Sequence, residues 1–175
     1  MRIPSRILLT GPPGCGKTTV IHKTLALLER PAAGFYTDEV REGAGGRGRL
    51  GFDIVALDGS RGSLARIGAE GPRVGRYGVD VCSFERIAVR ALEDGLADAR
   101  TLLVIDELGK MEFLSSRFVG LLPRVFEASN PVLGTILWRP HPVADRFRHA
   151  PGVEEIRVTS ESRECLPGEL AARLV

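Results

Sequence analysis

The chain has 175 residues, 43% hydrophobic and 26% charged, with a formal net charge of +2. This suits one soluble domain, 1–175, and the near balance of charge argues against a surface that holds nucleic acid by bulk electrostatics. Cys15, Cys82 and Cys165 form no C-x-x-C pair, and no run approaches the roughly 20 apolar residues of a membrane helix. A disulfide framework, a zinc site and a membrane span are therefore not expected, and the simplest setting is a reducing cytoplasm. The apolar run Ile7-Leu8-Leu9 is too short for a signal peptide. The basic residues are twenty-one arginines and three lysines, Lys17, Lys23 and Lys110. A lysine kept in so arginine-rich a chain points to a need for a compact ammonium, and two of the three fall inside the motifs below.

Arg6 to Thr10 reads as a buried strand running into a glycine-rich turn. From Lys17 to Glu29 the apolar positions Val20, Ile21, Thr24, Leu25 and Leu28 have helical spacing, and Pro31 stops the helix. Gly34 to Arg41 and Leu50 to Leu57 read as a β-hairpin whose connection, Glu42 to Arg49, is glycine-rich and basic. The next stretch suggests a short helix near Ser63 to Ile67 and a loop around Gly71 to Arg76. Ser83 is placed as the N-cap of a helix from Arg86 to Ala99. Leu102 to Ile105 has the continuous apolar character of a strand buried on both faces. A helix near Ser115 to Ala128, strands at Pro131 to Leu137 and Glu154 to Val158, and a last helix from about Pro167 to Leu174 complete the chain. Apolar strands alternating with helices imply an α/β fold with a mostly parallel sheet covered on both sides.

Gly11-Pro12-Pro13-Gly14-Cys15-Gly16-Lys17-Thr18 fits G-x-x-x-x-G-K-[ST], between a strand and a helix. Glycines let such a backbone turn its N–H groups toward phosphate oxygens, and the helix that follows adds a positive dipole end. The Lys17 ammonium can reach the β- and γ-phosphates, and the Thr18 hydroxyl can bind Mg²⁺. A dinucleotide fingerprint fails, because Thr19 stands where G-x-G-x-x-G needs its third glycine. The second half of the site is Leu102-Leu103-Val104-Ile105-Asp106-Glu107, where an apolar strand delivers carboxylates to the sheet edge beside the phosphate loop. Asp106 is the expected Mg²⁺ ligand with Thr18, and Glu107 can orient and deprotonate an attacking water. Arg41, Arg76 and Arg163 are candidates for offsetting transition-state charge, whereas Arg47 and Arg49 read as solvated. Cys15 reads as a small residue tolerated in a variable loop position. His22, His141 and His149 lack metal spacing, and Trp138 fits either a nucleobase contact or core packing. The sole asparagine, Asn130, is followed by proline, so no Asn-Lys-x-Asp guanine reader exists.

Pro13 to Thr19, Gly34-Phe-Tyr-Thr-Asp-Glu-Val-Arg41, Gly51-Phe-Asp53, Val74-Gly-Arg-Tyr77 and Asp106-Glu-Leu-Gly-Lys-Met-Glu112 occur in the order that resembles the THEP1-type nucleoside-triphosphatases, the family that includes a human cancer-related member. The resemblance runs from Ile7 to about Leu166. It implies a P-loop NTPase fold: a three-layer α/β/α sandwich with a RecA-like sheet and an inserted β-hairpin. It also implies slow, Mg²⁺-dependent hydrolysis of ATP, GTP, CTP and UTP to diphosphates with broad base choice. On this chain it assigns phosphate binding to Gly11 through Thr19, the nucleotide-site strand to Leu102 through Gly109 (with Leu108), and metal and base roles to Asp106 and Glu107. It places Lys110 near the phosphates. Where the family carries Asn-Arg after its last strand, this chain has Ser162-Arg163, which leaves Arg163 to stack on the base alone. A monomer is expected, with nucleoside triphosphates as its ligands. Two other functions use the same loop: a kinase that passes phosphate to a hydroxyl-bearing acceptor behind a closing lid, and a nucleotide-dependent switch or nucleic-acid-associated module.

Overall fold

Every residue of β1 (Arg6–Thr10) is buried, because strands flank it on both sides and helices cover both faces. The structure, a computed structural model, describes residues 5–43 and 48–174. The other strands are β2 (Ala32–Arg41), β3 (Arg49–Ala56), β4 (Arg61–Ile67), β5 (Arg73–Val74), β6 (Tyr77–Val79), β7 (Leu102–Leu108), β8 (Val132–Ile136) and β9 (Val153–Arg157). They form one mixed sheet in the order β5-β6-β4-β3-β2-β7-β8-β1-β9. From β2 to β9 the neighbours are parallel. From β2 out to β5 they are antiparallel.

The helices are α1 (Lys17–Leu25), α2 (Val81–Phe84), α3 (Arg90–Gly95), α4 (Ser116–Glu127), α5 (Pro142–Arg148) and α6 (Leu166–Leu174). A π-helical turn, Glu85–Val89, joins α2 to α3 without a break. Alternate side chains of each central strand feed opposite cores, which is why β1, β7 and β8 are dominated by apolar residues. Ile7, Leu9, Leu102, Val104 and Leu133 pack with Val20 and Ile21 of α1 and Leu166, Leu170 and Leu174 of α6. Leu8, Leu103, Ile105 and Val132 point the other way, toward α2 to α5. In that larger core Phe35, Phe84 and Phe118 meet edge to face, with centroids 5.2 to 5.9 Å apart. Among the described residues no helix is long and apolar enough to cross a membrane.

The three-layer α/β arrangement is the expected one, but several local readings are corrected. The segment expected as a helix at Ser63 to Ile67 is strand β4: it pairs with β3 on one side and β6 on the other, and this pairing overrides local helix propensity. The expected hairpin is therefore the first part of a larger antiparallel extension, and part of the loop expected at Gly71 to Arg76 is β5. Residues 44–47 of its basic tip, with Arg47, lie outside the described residues. The helix expected to begin near Arg86 starts at Val81, capped by Asp80 rather than Ser83, whose backbone N–H donates to the Asp80 carboxylate at 2.9 Å. It also stops at Gly95, short of Ala99, where the Ala97 N–H donates to the Asp94 carbonyl in a tighter turn. Helix α1 ends at Leu25 rather than Glu29. Helix α5, with His141 as its N-cap, is an addition to the expected elements: at seven residues it is too short to show a helical period.

Two positions hold the layers together. The buried Asn130 amide donates to the carbonyls of Gly95 (3.3 Å), Asp98 (2.9 Å) and Thr101 (3.0 Å), tying the end of α3 to the start of β7. Asn130→Ala removes the donor that these carbonyls share, and Asn130→Asp replaces it with an acceptor. Each should cost about 2–3 kcal/mol in chemical denaturation. Gly34 has φ +119, and a methyl group there would collide with the Val104 carbonyl of the adjoining strand. Gly34→Ala should therefore cost about 4 kcal/mol or prevent soluble accumulation, read as a loss of the cooperative unfolding transition.

Candidate active site

The phosphate loop joins β1 to α1. Gly14 (φ +79) and Gly16 (φ +104) take the left-handed conformation that turns the chain back on itself. Gly16 is the N-cap of α1, no side chain caps that end, and its first turn holds no acidic residue. The N–H groups of the turn are thus left for an anion. The Lys17 ammonium donates to the carbonyls of Gly11 (3.0 Å) and Pro12 (3.5 Å), so it is folded back over the loop. Cys15 is partly buried, with its sulfur beside Gly11.

Strand β8 stands between β1, which leads into the loop, and β7, which carries Asp106. The start of α1, β8 and β7 meet at that carboxylate. Thr18 Oγ1 donates to Asp106 Oδ2 at 2.6 Å, and Thr135 Oγ1 of β8 donates to Asp106 Oδ1 at 2.5 Å. Asp106 is only 3% exposed. Burial pushes its carboxyl above the ordinary range, against the opposing pull of the two hydroxyls and Lys17. Thr135 was not singled out from the sequence. The available signal was a lone threonine in the apolar strand Val132–Ile136, since a buried hydroxyl requires a partner.

Leu102, Leu103, Val104 and Ile105, expected within the nucleotide-binding run, are 0% exposed. They carry Asp106 to the sheet edge and are themselves core. After Ile105 the pairing with β8 slips before it resumes at Leu108, and the Asp106–Glu107 peptide is cis. Glu107 is partly exposed on the wall of a cavity of about 200 Å³. Burial raises its carboxyl to about 7, with Lys17 opposing the rise and Asp106 adding to it. Lys110 and Glu112 line the same cavity, closed on its apolar side by Phe52, Leu64 and Val74 of the antiparallel extension. Gly109 is buried between the carboxyls of Glu107 and Glu112.

The arginines divide by position. Arg163 lies against Gly16 and, with Thr19, Val20 and Lys23, lines a hollow of about 90 Å³ over the start of α1. Arg41 pairs with Glu39 at 3.2 Å. Arg76 donates to the Arg49 carbonyl (3.3 Å) and the Tyr77 hydroxyl (3.2 Å). These contacts of Arg41 and Arg76 lie in the antiparallel extension. Trp138 is 41% exposed, with the Arg157 guanidinium 4.7 Å from its ring centroid, so it is not core.

Comparison with known proteins agrees with this geometry. Residues 6–171 match the NTPase family. The chain is 42% identical over 166 residues to the nucleoside-triphosphatase THEP1 of Thermotoga petrophila, covering 94% of this chain and 90% of that one. It is 41% identical over 176 residues to the human cancer-related nucleoside-triphosphatase, covering 91% of each. The crystal structure of THEP1 from Aquifex aeolicus superposes with a TM-score of 0.83 at 30% identity, over 97% of this chain and 98% of that one. A phosphate loop, a buried carboxylate hydrogen-bonded to it and this extent of likeness lead to one conclusion: the chain belongs to the THEP1 family of nucleoside-triphosphatases.

Proposed function

We propose that the protein hydrolyses nucleoside 5′-triphosphates (ATP, GTP, CTP and UTP) to diphosphate and phosphate, slowly and with Mg²⁺ as cofactor. The observation that carries this reading is the Thr18–Asp106–Thr135 contact with Glu107 next to it, directly beneath the phosphate loop. The family to which the chain belongs supports the class of reaction.

The donor set fits Mg²⁺. A carboxylate and a hydroxyl are hard oxygen ligands, and among the described residues no group of three or more His, Cys, Asp or Glu could form a protein-only cage. Mg²⁺ suits such a sparse site because it keeps waters and takes further oxygens from phosphates. Bound to Asp106 and Thr18, it would supply positive charge opposite the transferring phosphoryl group.

The chain's own groups do the rest. The first-turn N–H groups of α1, with Gly11 through Thr19, cradle the phosphates, and the Lys17 ammonium exchanges its loop carbonyls for phosphate oxygens. Glu107 takes a proton from water as the new O–P bond forms and the bond from the γ-phosphorus to the β-bridging oxygen breaks. Lys110, from the cavity wall, and Arg41 or Arg76, from the extension, offset charge at the γ-phosphate. Arg163, over the start of α1, meets the base without reading its edge, which accords with broad base choice.

A second reading, phosphate transfer to a hydroxyl-bearing acceptor, is favoured by one observation. The cavity beside Glu107, at about 200 Å³, is several times the roughly 30 Å³ that one water occupies. Product analysis separates the two. Hydrolysis requires phosphate release from triphosphate, Mg²⁺ and water alone, and negligible turnover until a hydroxyl compound is added would overturn it. With each of the four nucleoside triphosphates, Glu107→Gln should retain binding and release phosphate at least about a hundredfold more slowly. Undiminished release in that variant would remove Glu107 from the mechanism.

A further inference from the structure

Glu112 is a buried carboxyl for which the reaction above has no use. It is 4% exposed. It opens a 3-10 turn, Glu112–Leu114, that is firmly held: Phe113 N–H donates to the Gly109 carbonyl at 3.1 Å, and Ser115 N–H to the Glu112 carbonyl at 3.1 Å. Ser115 in turn donates to Glu85 at 2.6 Å and caps α4. The side chain is thus placed by a rigid frame, and it is placed beside Glu107. The position that a Cβ would take on Gly109 lies 2.6 Å from Glu112 Oε2 and 3.0 Å from Glu107 Oε2. Two oxygens that close to one point are at most about 6 Å apart, a separation that a single water can bridge.

The charged groups around Glu112 do not neutralise it. From β7 come Glu107 and Asp106, whose negative charge, when ionised, acts to keep its proton on. Glu85, from the π-helical turn, is taken up by Ser115, and Arg117 of α4 is paired with the partly exposed Glu93. His141 stacks on Phe113, with centroids 5.1 Å apart. Lys110 is exposed on the outer part of the cavity wall. A carboxyl buried among carboxyls is costly as an anion and is tolerated as a neutral acid, which has one O–H to donate. Burial first, and Glu107 second, raise Glu112 to about 8.

We propose that Glu112 is a positioning residue for hydrolysis: as a neutral acid it donates its O–H toward Glu107 Oε2 through one water, and so leaves Glu107 Oε1 to face the attacking water. This rests on Glu107 being the base. Above its ionisation point Glu112 loses the donor and sets a second negative charge against Glu107, so turnover falls as pH rises through about 8. Stability follows the same sign. The folded chain keeps the proton up to about 8 and the unfolded chain only to 4.5. The contribution is therefore complete below 4.5 and is lost as pH rises through about 8.

The test measures kcat and KM for phosphate release from ATP with Mg²⁺, and Tm, from pH 6 to pH 9.5 in wild type, Glu112→Gln and Glu112→Leu. Glutamine donates but does not ionise. It should keep kcat at pH 7 within about threefold, hold it where wild type declines, and lose less Tm toward high pH. Leucine fills the space without a donor and should lower kcat about ten- to a hundredfold at unchanged KM, since a small misplacement of a catalytic group has that effect. A leucine variant within twofold of wild type, a glutamine variant as slow as leucine, or an alkaline limb that persists in glutamine would each overturn the proposal. If leucine prevents folding, the glutamine pH profile decides alone. Failure of the underlying reading is a separate result, namely phosphate release that survives Glu107→Gln.

Discussion

Asp106 is held between two hydroxyls, Thr18 from the start of α1 and Thr135 from β8, and the site depends on that clamp. A carboxylate this deep in the protein loses most of its hydration and is tolerated only where hydrogen bonds or a cation replace it. Here the replacement also does mechanical work. The three groups come from the phosphate-loop helix, the carboxylate strand and the strand between them, so one acidic side chain registers the loop against the sheet. The apolar residues of β1, β7 and β8 supply the rigidity, because each is packed on both faces and cannot shift without opening one of the two cores.

The two halves of the sheet have different tasks. The parallel half delivers the loop, Asp106 and Glu107 to one edge, as parallel α/β sheets do. The antiparallel half closes the space beside them. Phe52, Leu64 and Val74 form an apolar wall opposite Glu107, and Asp53, gripped by Arg61 and Arg66, pins β3 to β4 from the outside. Burial works to raise the Asp53 carboxyl, but the two guanidiniums prevail and hold it below its ordinary range. The same residue type is thus pushed in opposite directions at two places in one sheet: down where arginines surround it, and up at Asp106, where burial prevails. The carboxyls that are pushed up, Asp106, Glu107 and Glu112, are the ones gathered around the loop and the cavity.

Much of this was legible in the chain. The glycine pattern from Gly11 to Gly16, the lysine and threonine after it and the carboxylates after Leu102–Ile105 are local features whose physics needs no partner: left-handed glycines, an uncapped helix start, a strand too apolar to face water. The buried runs of β1, β7 and β8 placed the core for the same reason. Where local reading failed, a partner decided. Ser63 to Ile67 has nothing against a helix in it, yet β3 and β6 claim it as a strand, and β5 and β6 are too short to carry a period of their own. Asp80 caps where Ser83 was expected: its carboxylate accepts from the Ser83 N–H, and Ser83 itself is buried within the first turn.

By itself the sequence determined that a glycine-rich turn suited to phosphate leads into a helix at Gly11 to Thr18, that Asp106 and Glu107 end a buried strand, and that the sheet lies between helices. These follow from short-range spacing and from the solubility of side chains, which are properties of the chain before it folds. Only the tertiary structure decided that Thr135 completes the clamp on Asp106, that the antiparallel extension walls a cavity beside Glu107, and that Glu112 lies across Gly109 from the same carboxylate. Each of these is a contact between segments whose distance in space has no trace in their distance along the chain, and each is created by packing.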